Sequence, residues 1–136
     1  MIMRGKLILT AFAALLVTLG LGFAWGASGR IALQADLDEV RQQVDLSDAR
    51  ASILEARVSL YNNNFGDASR HLEDSKAPLR RVKQRYQDGS RSDPASSIDA
   101  ALGHVDEAQR LSGKLDSSAN SKAGEALDAI KVAVGK

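Results

Sequence analysis

His71 and His104 are the side chains best placed by type to exchange protons or bind a metal near neutral pH. Their spacing supports neither role. They stand 33 residues apart, and neither has a second histidine or a cysteine at ligand distance along the chain. In His71-Leu72-Glu73 the carboxylate follows the imidazole by two positions, which on a helix turns it to another face. The chain has no cysteine, which rules out disulfides, thiol nucleophiles, thiolate metal sites and a lipoprotein anchor. It also lacks a phosphate-cradling glycine loop and a nucleophile elbow, and its carboxylates scatter along polar helix positions. The expectation is a non-enzymatic protein with no cofactor and no metal, whose two histidines are solvated.

The one concentrated charge feature is Arg80, Arg81, Lys83 and Arg85. Acidic residues outnumber basic ones in the helical stretch before it: Asp36, Asp38, Glu39, Asp45, Asp48 and Glu55. If the two stretches fold back as a hairpin, Val82 and Tyr86 fall near Ser47 and Val44, and the basic cluster comes to lie beside Asp45 and Asp48. Two readings remain open. The charges complement each other within the chain, each exposed pair contributing about 0–1 kcal/mol, or the cluster contacts an acidic partner or anionic lipid headgroups. Nucleic acid is not expected, because residues 30–136 carry 16 basic against 17 acidic side chains and no aromatic platform accompanies the arginines.

The elements that would position these groups begin with residues 7–29, a run free of charge and flanked by Arg4, Lys6 and Arg30. As a helix this run is roughly 34 Å long, enough for a hydrocarbon core of about 30 Å. Two readings compete. A signal peptide would use the basic start and a cleavage site at Gly22-Phe23-Ala24 or Ala24-Trp25-Gly26. The length of the run and the interfacial Trp25 favour an uncleaved single-pass anchor instead. Arg4 and Lys6 keep the short tail, residues 1–6, in the cytoplasm, so residues 30–136 are expected in the periplasm of a bacterial inner membrane. Thr10, Ala14, Thr18, Gly22 and Gly26 form a row of small residues at every fourth position, suited to close packing against another transmembrane helix.

Beyond the anchor the composition is all-α, rich in Ala, Leu, Glu, Gln and Arg with no alternating β-branched runs. Leu33, Leu37, Val40, Val44, Ser47, Ala51, Leu54, Val58, Tyr61 and Phe65 follow one another at alternating spacings of four and three, a 3.5-residue repeat. A second row, Leu46, Ile53 and Leu60, runs beside it, which predicts a broad apolar face contacting two helices. Asn62-Asn63-Asn64 marks a turn. A second helix continues through Pro78 with a kink and stops near Asp88-Gly89. Asp93-Pro94 reads as an N-cap with proline at the first helical position of helix three. Ser117–Ser121 is a break before a fourth helix from about Lys122 to Val134, unless helices three and four are one. The expected fold is a transmembrane helix followed by a small antiparallel bundle of three to four helices. Residues 30–43 form a stalk, and residues 44–136 form the domain. Leu33, Leu37 and Val40 on that stalk are an apolar seam for a partner, unless the chain's own last helix covers them.

Phe65, Ala68, Leu72 and Ser75, with Ala56 on the preceding helix, resemble one tetratricopeptide-repeat hairpin. Ser52 stands where that family has a large apolar residue, Pro78 comes early, and no second copy follows at a 34-residue period. The resemblance implies a helical hairpin with a protein-binding habit, not a solenoid. Function is therefore expected to lie in association. The chain reads as an accessory subunit of a larger membrane complex, such as a respiratory or photosynthetic one. The alternatives are a self-associating or peptide-binding tether, or a secreted protein after cleavage.

Overall fold

The structure is a computed structural model that describes the backbone over residues 2–135 and the side chains of residues 16–18 and 33–135. Among the described residues it is all-α, with α1 (Ile2–Tyr61), α2 (Phe65–Asp88), α3 (Ser92–Ser112) and α4 (Ala119–Val134). No helix among them is long and apolar enough to cross a membrane. The anchor expected at residues 7–29 lies outside the described side chains except for Leu16, Val17 and Thr18, all three exposed. The chain divides into two units, Met1–Glu39 and Val40–Lys136. The first is the N-terminal part of α1, in which Leu33 and Leu37 are exposed.

In the second unit the end of α1 shares one core with α2, α3 and α4. Ten of its twenty buried hydrophobic residues are alanines, among them Ala56, Ala68, Ala101, Ala108, Ala123 and Ala126. A methyl at the contact lets helix axes approach to the short end of the usual 8–10 Å range. Ile53, Leu72, Leu79, Ile98 and Ile130 are the largest fully buried side chains. Cross-helix polar contacts fix antiparallel neighbours: Glu55 with His71 between α1 and α2, Lys76 with Asp106 between α2 and α3, and His104 with Glu125 between α3 and α4.

The core uses a different face of α1 from the one the 3.5-residue repeat predicts. Leu46, Ala49, Ile53, Ala56 and Leu60 are 0–5% exposed, whereas Val40, Val44, Leu54, Val58 and Tyr61 are 50–82% exposed. Each buried residue follows a member of the exposed row by two positions. Two residues turn an α-helix by about 200°, so the rows lie on nearly opposite sides rather than side by side. Ala49 and Ala56 complete a second heptad row that hydrophobic size alone does not reveal, and their small side chains admit the neighbouring helices. The expected broad face contacting two helices is therefore two separate faces, only one of them covered.

Helix boundaries follow the turn chemistry. α2 runs unbroken through the buried Pro78. α3 begins at Ser92 with Arg91 as its cap, so Pro94 sits inside the first turn and Asp93 is not the N-cap expected from sequence. α3 and α4 are separate, and α4 starts at Ala119, earlier than expected. Three turns share one closing pattern. Asn64, Arg91 and Asp116 donate backbone N–H to Ser59, Tyr86 and Leu111, five residues back, while Asn63, Ser90 and Leu115 donate to Leu60, Gln87 and Ser112. This is the Schellman arrangement, which places one residue in the left-handed region, usually glycine. Here those residues are Asn63, Ser90 and Leu115, at φ 57°, 56° and 59°. Leu115 is exposed and has the least local compensation for that backbone. Leu115→Gly is expected to raise the unfolding free energy by about 0.5–1 kcal/mol, measured by urea denaturation.

Candidate functional site

The basic cluster on α2 is largely engaged within the chain. Arg81 donates to Asp45 Oδ1 through Nε and Nη2 at 3.0 and 2.7 Å, and Arg85 Nη1 donates to Asp45 Oδ2 at 2.5 Å. Asp45 is a buried carboxylate on the edge of the α1 core face. Burial alone would push its carboxyl up, but the hydrogen bonds and charges of Arg81 and Arg85 outweigh that and hold it below the usual carboxylate range. Lys83 pairs with Asp99 on α3, and Arg80 is exposed, its charge felt by Glu73. Of the four cations expected to offer an acidic-partner or lipid contact, three thus have intrachain carboxylates.

A second polar cluster was not legible in the sequence. Lys76 is buried between α2 and α3, 2.7 Å from Asp106 and 2.9 Å from Glu73, and it donates to Gln109 Oε1 at 2.5 Å. Burial pulls its ammonium pKa down, yet the hydrogen bonds to Asp106 and Glu73 more than reverse this and raise it. Gln109 closes the cluster by donating to the Ser69 carbonyl and Glu73. Ser112 Oγ donates to the Phe65 carbonyl at 2.8 Å. No buried side-chain nitrogen or oxygen among the described residues lacks a hydrogen-bond partner. These groups are satisfied by one another, so none is aimed at a ligand.

The histidines take neighbours that the sequence order hides. His71 Nδ1 lies 3.2 Å from Glu55 on α1, and His104 Nδ1 lies 3.2 Å from Glu125 on α4. Neither forms part of a metal-ligating group among the described residues. Two open grooves of about 470 and 580 Å³ flank the Lys83–Asp99 pair between α2 and α3, lined mainly by Gln87, Ser92, Arg80 and Asp106.

The outer face of α1 is the remaining organised surface. Within the second unit it presents Val40, Val44, Ser47, Ala51, Leu54, Val58 and Tyr61, all exposed. Asp48 and Glu55 border this ridge on one side, where Glu55 meets His71 of α2. Arg50 and Arg57 border it on the other, where Arg57 Nε donates to Asn120 Oδ1 of α4 at 2.9 Å. Leu54 and Val58 are shared by two shallow grooves, one of about 420 Å³ toward α2 and one of about 370 Å³ toward α4. The ridge is apolar along its crest, acidic on one flank and basic on the other. No protein-family model, curated protein or solved structure matches this chain.

The other residues singled out in the sequence are placed as follows. Leu33, Leu37 and Val40 are exposed. Thr10, Ala14, Gly22 and Gly26 lie outside the described side chains, and Thr18 is exposed. Ala56, Ala68, Leu72 and Ser75, which carry the tetratricopeptide resemblance, are all buried in the α1–α2 hairpin, with Phe65 partly so.

Proposed function

We propose that this chain is a non-catalytic, membrane-anchored docking subunit that binds another protein through the outer face of α1. The observation that carries this reading is the uncovered ridge, Val40 to Tyr61, on the side of α1 opposite the core. Isolated exposed apolar side chains are ordinary, but a row repeating over three heptads and bordered by ordered charge is characteristic of an interaction surface. Residues 7–29 would hold the chain in a bacterial inner membrane with the helical unit in the periplasm, and Thr10, Ala14, Thr18, Gly22 and Gly26 would pack against other membrane helices. The ridge then faces partners confined to the same membrane, as in a respiratory or photosynthetic assembly.

The test is native electrophoresis of membranes solubilised in mild detergent. The wild-type chain is expected to migrate well above its monomer mass of 14.5 kDa after allowance for detergent. Val44→Glu/Val58→Glu is expected to return it to the monomer position with its helical circular dichroism intact. Wild-type migration as a free monomer would sink the reading. Retention of the chain in the pellet after alkaline carbonate washing tests the anchor separately, since a cleaved protein would be released.

A further inference from the structure

The docking reading leaves the partner's chemistry open, and the charge order along the ridge narrows it. Resting on that reading, we infer that the ridge binds a second copy of this chain, as a parallel, in-register two-stranded coiled coil formed by residues 40–61 of α1.

The spacing assigns heptad positions. Val44, Ala51 and Val58 occupy a, and Val40, Ser47, Leu54 and Tyr61 occupy d. β-Branched residues at a with leucine at d suit a two-stranded parallel coil, and Val44, Val58 and Leu54 follow that rule. The flanking positions carry opposite signs. The g positions are Gln43, Arg50 and Arg57, and the e positions are Arg41, Asp48 and Glu55. In a parallel pair each g faces the e of the next heptad on the other helix. That sets Gln43 against Asp48, Arg50 against Glu55 and Arg57 against Asn62, with no like-charge encounter. In an antiparallel pair g faces g and e faces e. With Val44 set against Tyr61, Arg50 then meets Arg57 and Asp48 meets Glu55; with Val44 set against Leu54, Arg41 meets Glu55, but Arg50 still meets Arg50 and Asp48 meets Asp48. The flanks of this ridge thus meet the same ridge on another copy without like-charge encounters in the parallel orientation, whereas both antiparallel registers impose them.

Register follows from closure. In register, a two-fold axis repeats the Arg50–Glu55 pair on both sides of the seam, and the same patch covers itself on each copy. A shift by one heptad makes the two sides unequal and leaves part of each seam uncovered. Upstream, in the other unit, the sequence keeps the repeat with Leu37 at a and Leu33 at d, and Asp36 at g precedes Arg41 at e. The structural neighbours of the flanks also fit. The α4-side flank of one copy would meet the α2-side flank of the other, which brings Asn120 of one copy and His71 of the other to the rim of the seam beside Leu54 and Val58.

The absence of native cysteine makes single-cysteine variants of the full chain clean reporters. Val44→Cys and Leu54→Cys are expected to give a disulfide-linked homodimer on mild oxidation in native membranes, because equivalent a and d positions face each other across the two-fold axis. Adding Arg50→Glu to Leu54→Cys is expected to lower the cross-linked fraction several-fold. Adding Glu55→Arg as well is expected to restore it, since the swapped charges attract again. Cross-linking only between mixed copies, Val44→Cys with Tyr61→Cys or Val44→Cys with Leu54→Cys, would mean an antiparallel pair and overturn the inference. Bonds only to a different polypeptide, traced with a bifunctional thiol reagent, would overturn it while leaving the docking reading standing. With no adduct of either kind, both fall. Unchanged circular dichroism and thermal unfolding in the charge variants exclude loss of fold as the cause.

Discussion

Ile53→Ala is expected to lower the unfolding free energy by about 2–5 kcal/mol, whereas Leu54→Ala, one residue on, changes it by less than about 0.5 kcal/mol in dilute monomer. The two residues are adjacent in the chain and similar in size, and the contrast comes from the helix surface each occupies. Ile53 has no exposed area and lies in the core among side chains of the second unit, so truncation removes buried methylenes and leaves a cavity. Leu54 stands half exposed on the opposite ridge. Urea denaturation of both variants in the isolated monomer, at protein concentrations too low for association, checks this. Equal losses, or a larger loss for Leu54→Ala, would show that the apolar ridge is the true core and that α1 is rotated by half a turn.

Asp45→Ala carries the second large effect. Its carboxylate receives three guanidinium hydrogen bonds and is buried, so its removal leaves Arg81 and Arg85 without a counter-charge. A fully buried broken pair costs about 3–5 kcal/mol. Arg81 is about half exposed and Arg85 a quarter exposed, so both recover part of their hydration, and a loss of about 1–3 kcal/mol is expected. The pH dependence has a definite sign. The folded carboxyl titrates below its ordinary value of 3.8, so near and below that value the unfolded chain binds the extra proton. Stability from Asp45 is present in full above that range. It is lost as pH falls through 3.8 toward the lower folded value. Asp45→Asn should therefore flatten the acid limb of the stability curve, measured by thermal unfolding between pH 2 and 6. An unaltered acid limb would show that the guanidinium pairing does not hold in solution.

The helical class, the turn at Asn62-Asn63-Asn64 and the passage of α2 through Pro78 were legible because they depend on local spacing and backbone chemistry. The approach of Arg81 and Arg85 to Asp45 was legible too, since a hairpin with a tight turn fixes which residues face each other. The identity of the core face was not. The ridge keeps its alternating four-and-three spacing unbroken from Leu33 to Phe65, and that continuity selects it. The structure buries Leu46, Ala49, Ile53, Ala56 and Leu60 instead, and the two alanines that complete this row carry no hydrophobic signal of their own in the sequence. Leu115 escaped detection because the turn it forms ordinarily announces itself with glycine. The Lys76 cluster was equally hidden, since its partners Glu73, Asp106 and Gln109 come together only when α2 and α3 pack.

An interior built from alanine also has a direction to its tolerance. Where a buried methyl lies between helices, an added carbon must strain a rotamer or shift backbone, at a cost of about 1–3 kcal/mol. Growth at Ala56, Ala68, Ala108 or Ala123, none of which has exposed area, is therefore destabilising, while the bulkier residues outside have room to change in either direction. Over mutational drift, the constraint in this chain falls on its small buried residues as well as on its large ones. The apolar positions on the α1 ridge carry no such constraint from the chain's own core.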